Sequence, residues 1–357
     1  MDNDQEISNK KIFRRNFSIA ALFLILVVLL VPIQFPTQYY IEGLGDAQSL
    51  KSVITIDGKQ DQRKGAFYFT DVSLKGPVNL MMLGLASLNP HSTIIDKKTL
   101  MSGQTNDEYN NLQEYYMENA QNTAISTAFN KAGEKVETKY LGVYVMSIDA
   151  DSQFKKKLQV GDTITQVDGQ QIHTSAQFRK LLAAKKRGQQ VTIQVKRKGK
   201  TVKVTGGLVK ITKKRAGVGI IPIDHTKVKT DKKVNFDLEN VGGPSAGLMF
   251  TLELYELLTR KDLRHGQKIA GTGTIENDGS VGPIGGIDKK IVSADKSGAK
   301  YFIAPDDPVT KEIKKENPDY VNNYHLALEA KKKFKLKIKI IPVKTFDGAV
   351  KALNNLK

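Results

Sequence analysis

The sequence contains no cysteine. This excludes a disulfide framework and any Cys-based zinc site, and it is compatible with a life outside the cytosol without disulfides. A G-x-x-x-x-G-K-[ST] phosphate loop is also missing. Gly242 and Gly247 have the right separation for one, but Leu248 and Met249 stand where Lys and Ser/Thr are needed. In "GTGTIE" Glu276 occupies the place of the third glycine of a dinucleotide fingerprint. No ATP, NAD or metal cofactor is implied. Acidic residues are in the minority, 37 against 55 Lys and Arg, for a net charge of +18. The basic clusters at Lys155–Lys157, Lys185–Arg187 and Lys331–Lys333 come without a zinc-finger, aromatic RNP or helix-turn-helix pattern. A diffuse basic surface is therefore expected, and no nucleic acid as partner.

What is present suits two or three folded domains: 357 residues, 40% hydrophobic and 26% charged. Phe17 to Ile33 is a 17-residue run without a charge. As a helix it would measure about 26 Å, close to a bilayer's hydrocarbon core. Lys10, Lys11, Arg14 and Arg15 precede it, so the positive-inside rule leaves the N-terminus (1–16) cytoplasmic and the rest of the chain outside. A cleaved signal peptide is the alternative. The run is longer than a usual signal core and no small-x-small site follows, which favours an uncleaved transmembrane helix over 17–35.

Further on, "AFYFTDVSL" (Ala66–Leu74) reads as a strand. Asp107–Ala132 reads as a long helix with Leu112, Tyr116, Ala120, Ala124 and Ala128 on one face, stopped by Gly133. From Val136 a new unit begins: a strand over Tyr140–Ile148, turns at Gly161-Asp162 and Asp168-Gly169, an amphipathic helix "SAQFRKLLAAKKRG", and a hairpin "QQVTIQVKRKGKTVKV". This order, with "GD.I..VDG" ahead of the helix, resembles a PDZ domain, here over 136–211. The resemblance implies capture of an extended peptide by β-augmentation, with Tyr140, Leu141, Gly142 and Val143 as the loop that holds its terminal carboxylate. A small β domain without a groove is the plainer reading.

Beyond Thr212 strands and helices mix, giving an α+β fold. Gly243-Pro244-Ser245-Ala246-Gly247 satisfies the G-x-S-x-G nucleophile elbow. That mechanism needs a downstream histidine as base, and only His265 and His325 follow. His325 opens an amphipathic helix, where a histidine is more often a surface or packing residue. A Ser-Lys pair is the other route. A neutral lysine can take the serine proton if burial in an apolar pocket keeps it uncharged near pH 7. Lys290, opening a helix among Ile287, Ile291 and Val292, suits that role, while Lys289 points about 100° away, toward solvent.

"GGPSAGLMF" around Ser245, "GTGTI" at Gly271–Ile275 and "GPIGGIDKK" at Gly282–Lys290 together resemble the proteolytic domain of Lon proteases. The resemblance implies a catalytic Ser245, a catalytic Lys290 (seven residues after Pro283) and a Thr272 that orients the lysine amine. Backbone N–H groups from Gly243 to Ala246 would stabilise the oxyanion. An acidic residue common in the family three places before the serine is Gly242 here, so its role is absent or taken by Glu239. Residues 39–135 would form the N-terminal part of the same domain and 212–357 the part with the dyad, the PDZ unit being inserted between them. With the anchor, this resembles the ATP-independent extracytoplasmic Lon-like PDZ proteases of Gram-positive bacteria. It implies a serine endopeptidase of the cell membrane acting on peptide or protein substrates, with a homo-oligomer left open because Lon domains tend to form rings. The rival expectation is a membrane-tethered PDZ adaptor with an inert Lon-like fold.

Overall fold

The computed structural model describes residues 15–24, 27, 35–212, 215–238 and 241–356. Of the expected transmembrane segment, residues 25–26 and 28–34 lie outside that set, as do residues 1–14. Among the described residues no helix is long and apolar enough to cross a membrane.

Two compact units divide the strands β1 (Tyr39–Ser49) and β2 (Ala66–Lys75) between them. The smaller comprises the described residues up to Leu44 together with Val72–Gly103. In it β1 pairs antiparallel with β3 (Thr93–Asp96), Tyr39 opposite Asp96. Ile41, Val78 and Ala86 form its small core. The apolar helix Leu80–Leu88 leaves Leu80, Met81, Leu85 and Leu88 exposed. The larger unit, Gly45–Asp71 with Gln104–Lys357, holds everything that follows.

Its body is a parallel sheet. β9 (Lys268–Gly271) lies between β2 and β10 (Tyr301–Pro305), and β11 (Lys339–Val343) continues beyond β10. Side chains alternate across a strand, and both faces are covered. Ile269, Tyr301 and Ile303 point into one core with α1 (Asn106–Ala132), α3 (Gly247–Thr259) and α6 (Phe346–Asn354). Ala270, Phe302 and Ala304 point into the other, with α4 (Ile287–Lys296) and α5 (Asn323–Phe334). Helix α1 starts at a capping box, Thr105 with Glu108, and ends at Gly133 in the left-handed region. The expected seam holds: Leu112, Ala120, Ala124 and Ala128 are buried and Tyr116 is half-buried.

One charged cluster ties α3 to the loop before β2. Arg264, fully buried, pairs with Asp61 and lies 3.1 Å from Glu256 and 3.9 Å from Glu253. Both Glu253 oxygens are buried without a hydrogen-bond partner among the described residues. Burial raises the Glu253 carboxyl to about 7, against the pull of Arg264.

A second sheet runs β8 (Ile220–Thr230), β4 (Val136–Ile148), β5 (Thr163–Val167), β6 (Gln190–Arg197), β7 (Lys200–Gly207). Its core gathers Val143, Ile164, Phe178, Leu182, Ile193 and Val218, with α2 (Ser175–Ala183) across one side. β8 pairs with β4 along its length, from Ile220 opposite Ile148 to Thr230 opposite Val136. The inserted unit thus extends past the expected boundary at 211 to about Thr230, because its sheet needs that strand. Residues 212–230 belong with it and not with the parallel body.

Candidate active site

Three side chains from different layers meet at the carboxyl end of the parallel strands, where open α/β sheets form crevices. Ser245 sits in the turn before α3, with Ala246 as the helix N-cap. Thr272 directly follows β9, its N–H donating to the Ile303 carbonyl of β10 at 3.1 Å. Lys290 rises from α4 on the opposite face. Its Nζ is 2.6 Å from Ser245 Oγ and 3.2 Å from Thr272 Oγ1. Thr272 is fully buried and Lys290 is 3% exposed, with Ile287 and Ile291 buried beside it.

The Thr272 hydroxyl donates to the Ser245 carbonyl at 2.9 Å. Having spent its proton there, it can only accept from Lys290. Thr272 thus accepts one N–H of Lys290 and holds the amine beside Ser245 Oγ. The Ser245 carbonyl also accepts from the Gly273 N–H at 2.7 Å, which pins the backbone of the turn.

Two expectations change here. The Gly243 N–H donates to the Gln113 carbonyl of α1 at 3.0 Å, so it is not free to face an oxyanion. The amides of Ser245 and Ala246, at the start of α3, are the remaining donors of that stretch. Lys289 is 4% exposed, not solvated: its amine lies 3.1 Å from Asp288. One turn on, Ser293 donates to the Gly45 carbonyl at 2.8 Å, so β1 covers that face of α4. Gly242 has a packing reason. A Cβ there would stand 2.9 Å from Gln113 Cβ, so an acidic side chain would collide with α1. Glu239 lies outside the described residues. His325 turns its ring to Asn322, 2.6 Å away, and His265 sits in an exposed loop.

Tyr140–Val143 does not form an open loop. Val143 pairs with Asp224 on one side and Ile164 on the other, and Gly142, at φ 143°, packs directly against the Ile164 carbonyl. With Val143 paired on both edges and Gly142 against β5, the end of this stretch has no free edge for a peptide, and Tyr140 pairs with Thr226 of β8. The open groove lies elsewhere, between α2 and the outer edge of β8. It is a cavity of about 220 Å³ lined by Phe178, Leu182, Ile211, Val218 and Ile220, with Arg179 and Arg215 at its margin. Ile220 begins the outermost strand on that side of the sheet. An edge strand facing a helix across an apolar slot is what β-augmentation requires. The signal missed in the sequence is "AGVGII", Ala216–Ile221, which alternates glycine and apolar residues as "YLGV" does.

Residues 118–206 match the PDZ domain family, and residues 188–341 match the Lon protease (S16) C-terminal proteolytic domain. The chain is 43% identical over 65 residues to a Lon protease of Fusobacterium nucleatum, covering 18% of this chain and 8% of the relative. It is 38% identical over 89 residues to a Lon protease of Desulforamulus reducens, covering 25% and 10%. The chain therefore spans about a tenth of the length of these relatives. Among solved structures it is similar to the PDZ domain of an SdrC-like protein from Listeria monocytogenes, at 36% identity over 23% of this chain and 88% of that one, with a TM-score of 0.23. With both matches in place, the chain carries a PDZ domain and a Lon protease (S16) C-terminal proteolytic domain, the latter pointing to a serine peptidase.

Proposed function

We propose that this protein is a membrane-anchored, extracytoplasmic serine endopeptidase that uses a Ser-Lys dyad and needs no ATP. The observation that carries the reading is the 2.6 Å approach of the buried Lys290 Nζ to Oγ of the half-buried Ser245. In this reading Lys290 is the base, its Nζ standing within reach of the serine proton. Ser245 Oγ attacks a peptide carbonyl carbon as its proton passes to Lys290. The oxyanion is held by the amides of Ser245 and Ala246, helped by the positive end of α3. Lys290 then gives the proton to the departing amine, and water, deprotonated by the same lysine, resolves the acyl-enzyme.

The PDZ domain would hold the substrate's C-terminal segment and raise its concentration near the serine. With no nucleotide-binding run in the sequence to drive unfolding, suitable substrates are short, extended or already unfolded. The uncharged run Phe17–Ile33 behind basic residues supports the anchor and the extracytoplasmic placement.

Intact-mass spectrometry after a fluorophosphonate probe tests the dyad. A single adduct on Ser245, slowed roughly a thousandfold or more in Lys290→Ala, is expected. Equal labelling of the two proteins would refute it.

A further inference from the structure

The sequence scatters its lysines, but the fold gathers one cluster. A cavity of about 440 Å³ adjoins the apolar groove, sharing Arg215 and Ala216 with it. Lys185, Lys186, Arg187, Lys210 and Arg215 line it, and no carboxylate lines either cavity. Lys185 is partly neutralised by Asp168, 2.8 Å away. The other four have no ion pair among the described residues.

The groove is electrically polar along its length. At one end the first N–H of α2 donates to Asp224 Oδ1 at 2.6 Å, so a carboxylate closes that end. At the other end lie Arg215 and the cationic cavity. A strand added antiparallel to Ile220–Asp224 has its C-terminus beside Gly219, at the cationic end. There its terminal carboxylate and the side chains of its last residues meet five cations, while its upstream part lies near Asp224. A ligand with negative charge concentrated at its very end matches both halves.

We infer that this groove selects peptides whose last few residues carry Asp or Glu in addition to the terminal carboxylate. The inference rests on the reading of the PDZ domain as the substrate-holding part, and it names the class of substrate end that would be delivered to Ser245. Apolar contacts in the slot give anchorage, and the cationic cavity gives discrimination and a salt-dependent capture rate.

Binding is measured by fluorescence anisotropy on the full-length chain carrying Ser245→Ala, so that no ligand is cleaved and the outcome is independent of the dyad. Two peptides are compared, alike except that two Glu in the last three residues of one are Gln in the other. The acidic peptide should bind about tenfold more tightly at low salt, and the gap should shrink as salt rises. In Lys186→Glu/Lys210→Glu the preference should vanish or invert while the Gln peptide still binds, which shows the domain intact. Equal affinity for the two peptides, or a preference that survives charge reversal, overturns the inference. So does displacement of the acidic peptide at equal charge concentration by an oligonucleotide or by anionic vesicles. None of these outcomes bears on labelling of Ser245, so the protease reading stands or falls separately.

Discussion

At Ser245 a turn, a strand end and a helix converge, and the Lys290 amine lies within hydrogen-bond reach of the side chains of Ser245 and Thr272. In the groove beside α2, a strand edge and a helix face stay apart, and four of the five nearby cations, all but the paired Lys185, remain open to solvent. The first arrangement suits chemistry: a lysine can act as a base only where its charge is unwelcome, and only if its lone pair is aimed. The second suits recognition, in which partners exchange and no bond is broken. Close packing fixes direction in one place, and exposure preserves choice in the other.

The contrast can be sharpened from its closed side first. Thr272→Val keeps shape and burial but removes the acceptor for the Lys290 N–H. We expect kcat to fall about 10- to 100-fold, equivalent to ~1.4–2.7 kcal/mol, with KM little changed in steady-state assays; Thr272→Ser should restore most of it. An unchanged kcat in the valine variant would mean that Lys290 is aimed by something else. On the open side, Ile211 is 46% exposed at the groove. Ile211→Asp should raise KM for tailed substrates roughly tenfold and leave turnover of short peptides that bypass the groove unchanged. A matching loss with short peptides would show that the two sites are not separable.

A last test concerns stability and not turnover, at Glu253, on the same helix that begins after the serine. Its carboxyl is raised from 4.5 to about 7, so the folded protein holds a proton there that the unfolded chain has released. Stability from this group is present below about 4.5 and is lost as pH climbs to about 7. Glu253→Gln should therefore flatten the Tm–pH profile across that window, by ~3 kcal/mol at most. Parallel profiles for the two proteins would show that Arg264 keeps Glu253 ionised throughout.

The serine, threonine and lysine were legible in the sequence because each sits in a short run whose glycines and prolines dictate a local turn. The three runs together resemble a known family, and that resemblance singled out these residues. The apolar slot beside α2 was missed because two glycine-apolar stretches look alike, and only strand pairing decides which keeps a free edge. The burial of Lys289 was hidden, since helical geometry gives a side chain's direction but not what lies there. Asp61, Glu253, Glu256 and Arg264 were invisible as a cluster, because nothing in a linear pattern brings them together. The small unit around Leu80–Leu88 was absorbed into the N-terminal part of the catalytic domain, for want of any composition break.

Val136 and Thr230 face each other as cross-strand partners. The whole inserted domain therefore leaves and rejoins its host at adjacent points, and to the parallel body it amounts to no more than a long hairpin. Such a domain can be gained, lost or exchanged in evolution without moving the ends it is joined to. What resists its removal is helix α1, whose Leu112 and Tyr115 pack with Tyr144 and Val160 of the insert and would be left facing water. The insertion is thus modular in its connections but not in its surface, and a lineage that dropped it would have to repaint one face of that helix.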